Sequence, residues 1–327
     1  MKALKIILSL LVILCLSAGV ALAETPEERA EQAAGVLMDG VVPVTWEPSR
    51  DHLIIEGEEA KALYDRIESG DYPSMEELKE NHVVAQIDSL SAYYIALYGN
   101  TLEIDTPERE ALRKEIKEKF LAYGSARTKK INPETGKHKI AFDGPLNRDY
   151  KMVLVLGLPA SGKSSYLAEP ISEEIGAFIL DCDEIKELIP EYQESHSCAA
   201  DAVHFESFAI MNDVMQEFLT GDMKGVNVVL PIVASDFDEL MDTYIKPFEE
   251  AGYNVKAVFR SAKPNEAAAR VVSRELRNGR IIRSAVAFSF GDKPEEVFNK
   301  LAEMTNAQGE PYVDPVEEVE EELAPAA

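Results

Sequence analysis

Cysteine is scarce in this chain: three residues among 327, at positions 15, 182 and 198. That count excludes a disulfide scaffold and a cysteine-rich zinc module. Basic residues are also few, 33 Lys and Arg against 59 Asp and Glu, for a formal charge of −26. Such a surface disfavours unaided binding to nucleic acid or an anionic membrane, whose phosphates require cations. No internal repeat is apparent. With 46% hydrophobic residues the chain can build a sizeable core, which excludes disorder as its overall state. Its length suits two domains, or one large domain with an appendage.

Residues 1–23 read as a signal peptide. Lys2 and Lys5 precede the apolar stretch Ile6–Leu16, and Ala21-Leu22-Ala23 supplies small residues for cleavage before Glu24. Cys15 follows Leu14 rather than a small residue, unlike a lipoprotein signal. The expectation is export with Glu24 as the mature N-terminus and no stable membrane association afterwards; the alternatives are a retained anchor or a cytoplasmic protein. Residues 24–123 carry repeated helix-start signals, Thr25-Pro26-Glu27-Glu28, Ser74-Met75-Glu76-Glu77 and Thr106-Pro107. Between Leu78 and Leu97 apolar residues recur at helical spacing, a stripe that reads as core. Residues 126–139 form a basic connector.

From Lys151 the pattern alternates strand and helix. Strands are expected near Met152–Leu156, Ala177–Leu180, Val226–Leu230 and Tyr253–Phe259. Helices are expected near Lys163–Ile175, Ala199–Leu219, Asp236–Ala251 and Asn265–Asn278. This alternation predicts an α/β fold with a parallel sheet and helices on both faces. The expected division is a helical region over 24–123, an α/β domain over 124–308 and an acidic, disordered tail over 309–327.

Gly157-Leu158-Pro159-Ala160-Ser161-Gly162-Lys163-Ser164 satisfies the phosphate-loop pattern, with Ser165 beside it. Strand and helix context supports the match. Loop N–H groups would cradle phosphates, Lys163 would reach the β- and γ-phosphates, and the Ser164 hydroxyl would coordinate Mg²⁺. The cofactors implied are ATP or GTP with Mg²⁺. Asp181 and Asp183 follow the second strand, where open α/β sheets bind ligands. In an extended segment they would share a face, one accepting a substrate proton or holding magnesium through water. Asp183 also suits a helix cap. Arg270, Arg274 and Arg277 share a helix face, and Arg280 and Arg283 follow Gly279. They suit a lid that stabilises a transferring phosphoryl group, or alternatively a nucleic-acid patch or a solvated face.

Phosphate loop, Asp-x-Asp, the helix bearing His204-Phe205-Glu206-Ser207, and Arg270 to Arg280 together resemble the zeta-toxin family of bacterial P-loop kinases. The likeness runs from about Gly144 to Arg283. It implies a nucleoside-monophosphate-kinase-like sheet and phosphorylation of the 3′-hydroxyl of UDP-N-acetylglucosamine. Carried over by position, Asp183 is the general base, and Lys163 and Ser164 hold triphosphate and magnesium. Arg274 (or Arg270) and Arg280 clamp the γ-phosphate, and Asp181, Glu206 and Arg270 bind substrate. The resemblance leaves room for an antitoxin-like partner. Val228-Val229-Leu230-Pro231-Ile232-Val233 departs from the family, which carries an acidic residue here; that bears on the acceptor, not on the transfer chemistry. A nucleic-acid 5′-hydroxyl kinase and a non-catalytic nucleotide-binding module are the competing readings.

Overall fold

The helix-start signals of the amino-terminal third are realised as caps. Thr25 and Glu28 close a capping box on helix α1 (Pro26–Ala34), with Glu28 N donating to Thr25 Oγ1 at 3.2 Å. Helix α2 (Glu58–Glu68) follows. Ser74 and Glu77 form a second box on α3 (Met75–Glu80). Asn81 then interrupts the apolar stripe and caps α4 (His82–Tyr98) through Val83 N at 2.9 Å. Thr106 accepts from Arg109 N at 3.2 Å at the head of α5 (Pro107–Ala126). The stripe is core, as its spacing indicates: Leu78, Val84, Ile87 and Leu90 are buried.

An apolar run without alternation, such as 152–156, requires a strand covered on both faces. The computed structural model describes residues 25–49, 51–126, 130–131, 138–139 and 145–314. In it four strands, β1 (Lys151–Gly157), β2 (Phe178–Ile179), β3 (Val228–Ile232) and β4 (Asn254–Arg260), form a parallel sheet in the order β2-β3-β1-β4. Central β1 pairs Met152 with Val228 on one side and with Val255 on the other. The third strand begins two residues later than its apolar run suggests. Asn227 is occupied first, its side chain accepting from Asp149 N and Lys151 N at 3.0 and 3.1 Å. The β2–β3 ladder stops after Leu180 N bonds Val229 O at 2.8 Å; Pro231, next in line, has no N–H to give.

Helix α6 (Glu169–Ile175) follows the phosphate loop through a wide turn, Ser164–Ala168. Pro170 cannot donate to the preceding turn, and the ladder slips by one residue. Pro247 has the same effect between α10 (Phe237–Leu240) and α11 (Lys246–Glu250). Between these pairs lie α7 (Cys182–Lys186), α8 (Pro190–Glu194) and α9 (His204–Leu219). After β4 come α12 (Pro264–Asn278), α13 (Ser284–Ala287) and α14 (Lys293–Ala302). One core covers Met152, Leu154 and Leu156 with Phe178, Phe218 and Phe248, and includes Ile116 and Phe120 of α5. The other sheet face buries Val155, Ala168 and Val229.

A second large core joins α2, α3 and α4 to α12: Leu63, Ile67, Leu78, Ile87 and Leu90 pack with Ala268, Ala269, Val272 and Leu276. The arginine-bearing helix is therefore backed by the amino-terminal helices. Residues 309–314 depart from the expected solvated tail. Tyr312 is 2% exposed and its carbonyl accepts from Ala257 N at 2.7 Å. Lys256 draws in Glu310 and Asp314 at 3.3 and 2.8 Å. The remaining tail, the signal segment 1–23 and most of the basic connector lie outside the described residues. Among the described residues no helix is long and apolar enough to cross a membrane.

Candidate functional site

The phosphate loop leaves the carboxyl end of β1, between β3 and β4. Gly157 has φ of 150°, and a Cβ there would lie 2.7 Å from Arg260 O, so β4 and the loop approach too closely for any side chain. Leu158 and Ser161 are buried, Pro159, Ala160 and Gly162 half-buried, and Ser164 and Ser165 exposed. The Lys163 ammonium turns back into the loop, donating to Gly157 O at 2.9 Å and Leu158 O at 2.7 Å. Burial lowers its pKa to about 7; Asp181 opposes the shift, and Arg274 and Arg280 reinforce it.

Ser164, Asp181, Asp183, Glu184, Glu187 and Arg280 line one cavity with the start of the loop helix. Asp181 and Asp183 meet there, but not along a strand. Asp181 is the N-cap of α7, its Oδ1 accepting from Asp183 N at 2.9 Å, and Asp183 lies in the first helical turn. The cap is therefore Asp181 rather than Asp183. Asp183 is ion-paired with Lys186 at 3.1 Å and with Arg280. Lys186 was missed in the sequence, although its i,i+3 spacing from Asp183 could have revealed it. Potential ligand atoms of Asp181, Cys182 and Asp183 lie within 4.8 Å of one another. Burial raises the Cys182 thiol pKa, leaving the two carboxylates and the Ser164 hydroxyl as the hard oxygen donors that suit Mg²⁺. Cys182 and Cys198 are both free thiols.

Arg274 and Arg280 approach from α12 and its exit. Arg274 Nε and Nη2, Arg280 Nε and Ser161 Oγ are shielded from solvent and have no hydrogen-bond partner among the described residues. Burial lowers both arginine pKa values, and Asp181 partly offsets this at each. Shielded donors without partners cost free energy, and phosphate oxygens would satisfy them. A triphosphate thus fits these residues. The segment after Arg280 is held at three points: Ile282 N donates to Glu275 at 2.7 Å, Arg283 N to Asp201 at 3.2 Å and Ser284 N to Asp88 at 2.8 Å. Burial pushes the Glu275 carboxyl well above its ordinary range.

Two expected substrate residues lie elsewhere. Arg270 donates to Tyr72 Oη at 3.2 and 3.3 Å and pairs with Glu266 at 2.7 Å, so it is engaged with the α2–α3 connection and with its own helix. Glu206 is fully buried. Arg109 donates to it from Nε at 2.8 Å and also from Nη2, and Arg113 donates from Nε at 2.7 Å. Arg109 also binds Glu191 at 2.7 and 3.1 Å. Two arginines of α5 thus saturate a carboxylate that the sequence suggested for substrate.

The zeta toxin family model matches residues 143–320, more than half of the chain. Comparisons with curated proteins and with solved structures yield no match. The parallel sheet, the loop after its central strand and the extent of the match lead to one conclusion: the chain belongs to the zeta toxin family and has its P-loop, kinase-like nucleotide-binding fold.

Proposed function

We propose that this protein transfers the γ-phosphate of ATP or GTP to a hydroxyl of a small molecule, with a sugar nucleotide of the UDP-N-acetylglucosamine type as the candidate acceptor. The observation that carries this reading is the convergence of Ser164, Asp183 and Arg280 on one cavity, beside Lys163. On binding, Lys163 exchanges the Gly157 and Leu158 carbonyls for phosphate oxygens. Arg274 and Arg280 supply donors where negative charge spreads during transfer. Asp183 releases Arg280 and takes the proton of the attacking hydroxyl. A new oxygen–phosphorus bond forms, the β–γ bridge breaks and the nucleoside diphosphate leaves. Mg²⁺, held by Ser164 and through water by Asp181, would neutralise charge on the phosphates.

Export through residues 1–23 belongs to the same proposal, with activity wherever triphosphate is available. Incubation with γ-labelled ATP and separate pools of sugar nucleotides and oligonucleotides tests the transfer. Label should enter a sugar-nucleotide pool with the native chain and not with Lys163→Ala. Labelling of oligonucleotides alone would favour the nucleic-acid kinase, and equal labelling by Lys163→Ala would refute the phosphate-loop argument.

A further inference from the structure

Tyr166 is 60% exposed, the most exposed Phe, Trp or Tyr ring among the described residues. It follows the phosphate loop directly, and its N–H donates to Gly162 O at 3.0 Å. Its ring lies against Gly162, where a Cβ would come within 2.6 Å of it. The Arg260 guanidinium lies over the ring, 4.6 Å from its centroid. Arg260 ends β4 and is in register with Gly157, the first loop residue.

The sheet order gives the loop a direction. Asp181, Asp183 and Glu184 follow β2 at one edge of the sheet, and Arg260 ends β4 at the other, with the loop on β1 between them. A triphosphate whose reacting end meets Asp183 and Arg280 directs its nucleoside end the opposite way, toward β4. We infer that the Tyr166–Arg260 stack is the platform for the nucleobase of the donor. This rests on the nucleotide reading above and adds the base site to it. A π-face and a guanidinium plane bind any base by stacking, without reading its hydrogen-bonding edge. The stack therefore accepts adenine and guanine alike.

Calorimetric titration of the full chain with ATP, GTP and inorganic tripolyphosphate, each with Mg²⁺, tests the assignment. Tyr166→Ala should weaken ATP and GTP about ten-fold, the scale of one base–aromatic stack, and leave tripolyphosphate unchanged. Tyr166→Phe should retain native affinity for all three. Unchanged ATP affinity in Tyr166→Ala would overturn the platform, as would an equal loss of tripolyphosphate, which would mean that the ring only props the loop. Native protein that binds tripolyphosphate as tightly as ATP also removes the base site while leaving the phosphate loop intact. Native protein that binds none of the three ligands removes the nucleotide reading and the platform with it.

Discussion

Replacing Glu206 by glutamine separates a structural carboxylate from a substrate ligand. The native side chain is 1% exposed and meets Arg109 and Arg113, whose side chains are 9% and 20% exposed. Burial alone would raise its pKa, but hydrogen bonds from Arg109, Thr101 and Arg113 outweigh that and hold it below the ordinary 4.5. Breaking a buried ion pair from one side costs about 3–5 kcal/mol. The lower end applies here. Arg109 keeps Glu191, and Arg113 keeps the carbonyls of Thr101, Leu102 and Ile104 at 3.2, 3.0 and 2.9 Å.

With a urea dependence of about 3 kcal/mol per molar, a loss of about 3 kcal/mol lowers the unfolding midpoint by roughly 1 M. Far-UV circular dichroism through a urea series measures it. The sign with pH follows from the depressed folded pKa. The stabilisation is complete above the unfolded glutamate value and is lost as pH falls through the folded one. The gap between native and glutamine proteins should therefore narrow in acid. An unchanged midpoint accompanied by a raised acceptor KM would refute this reasoning and return Glu206 to the substrate site.

Asp183→Asn should keep nucleotide affinity and slow phosphoryl transfer by about 10²-fold or more; reversed effects in Asp181→Asn would move the base to the other carboxylate. Asp181→Asn should cost little stability, since asparagine also caps helices, whereas Asp181→Ala should cost about 1 kcal/mol by thermal unfolding. Lys163 has a folded pKa of about 7 against an ordinary 10.5, so between those values the unfolded chain holds the extra proton and stability rises with pH. Phosphate should restore the charge, so ATP binding near pH 8.5 should take up a proton, and calorimetry in buffers of different ionisation enthalpy should detect none in Lys163→Met. Mass spectrometry of the native protein should find Glu24 at the N-terminus; a soluble cytoplasmic species retaining residues 1–23 would defeat the export proposal.

The parts of the fold legible in the sequence were those set by local rules. The continuous run at 152–156 gave a central strand, Thr25 and Ser74 gave capping boxes, and Gly157–Ser164 gave the loop. What escaped depends on distant partners. Arg109 and Glu206 are 97 positions apart, and neither carries a mark of the other. Helical spacing put Arg270 and Arg274 on one face but could not say that the first reaches Tyr72 while the second stands near Lys163. Tyr312 shows the same limit: its acidic neighbours suggested solvent, and Lys256 and the edge of β4 decided otherwise.

The core behind α12 has a consequence for the order in which the chain folds. Arg270 meets Tyr72 across 198 positions, Ser273 meets Glu68 across 205, and Ser284 meets Asp88 across 196. During synthesis the amino-terminal helices emerge long before α12, the helix that completes their apolar core. Contacts this far apart in sequence form late, because the entropy of closing the intervening chain must be lost before they contribute. Until then Leu63, Ile67, Leu78, Ile87 and Leu90 lack the α12 face that covers them, and the early segment remains open to chaperones and proteases. Ribosome-bound chains stalled shortly after Glu250 should be cleaved readily within α2 and α4, and chains released after Ser284 should resist.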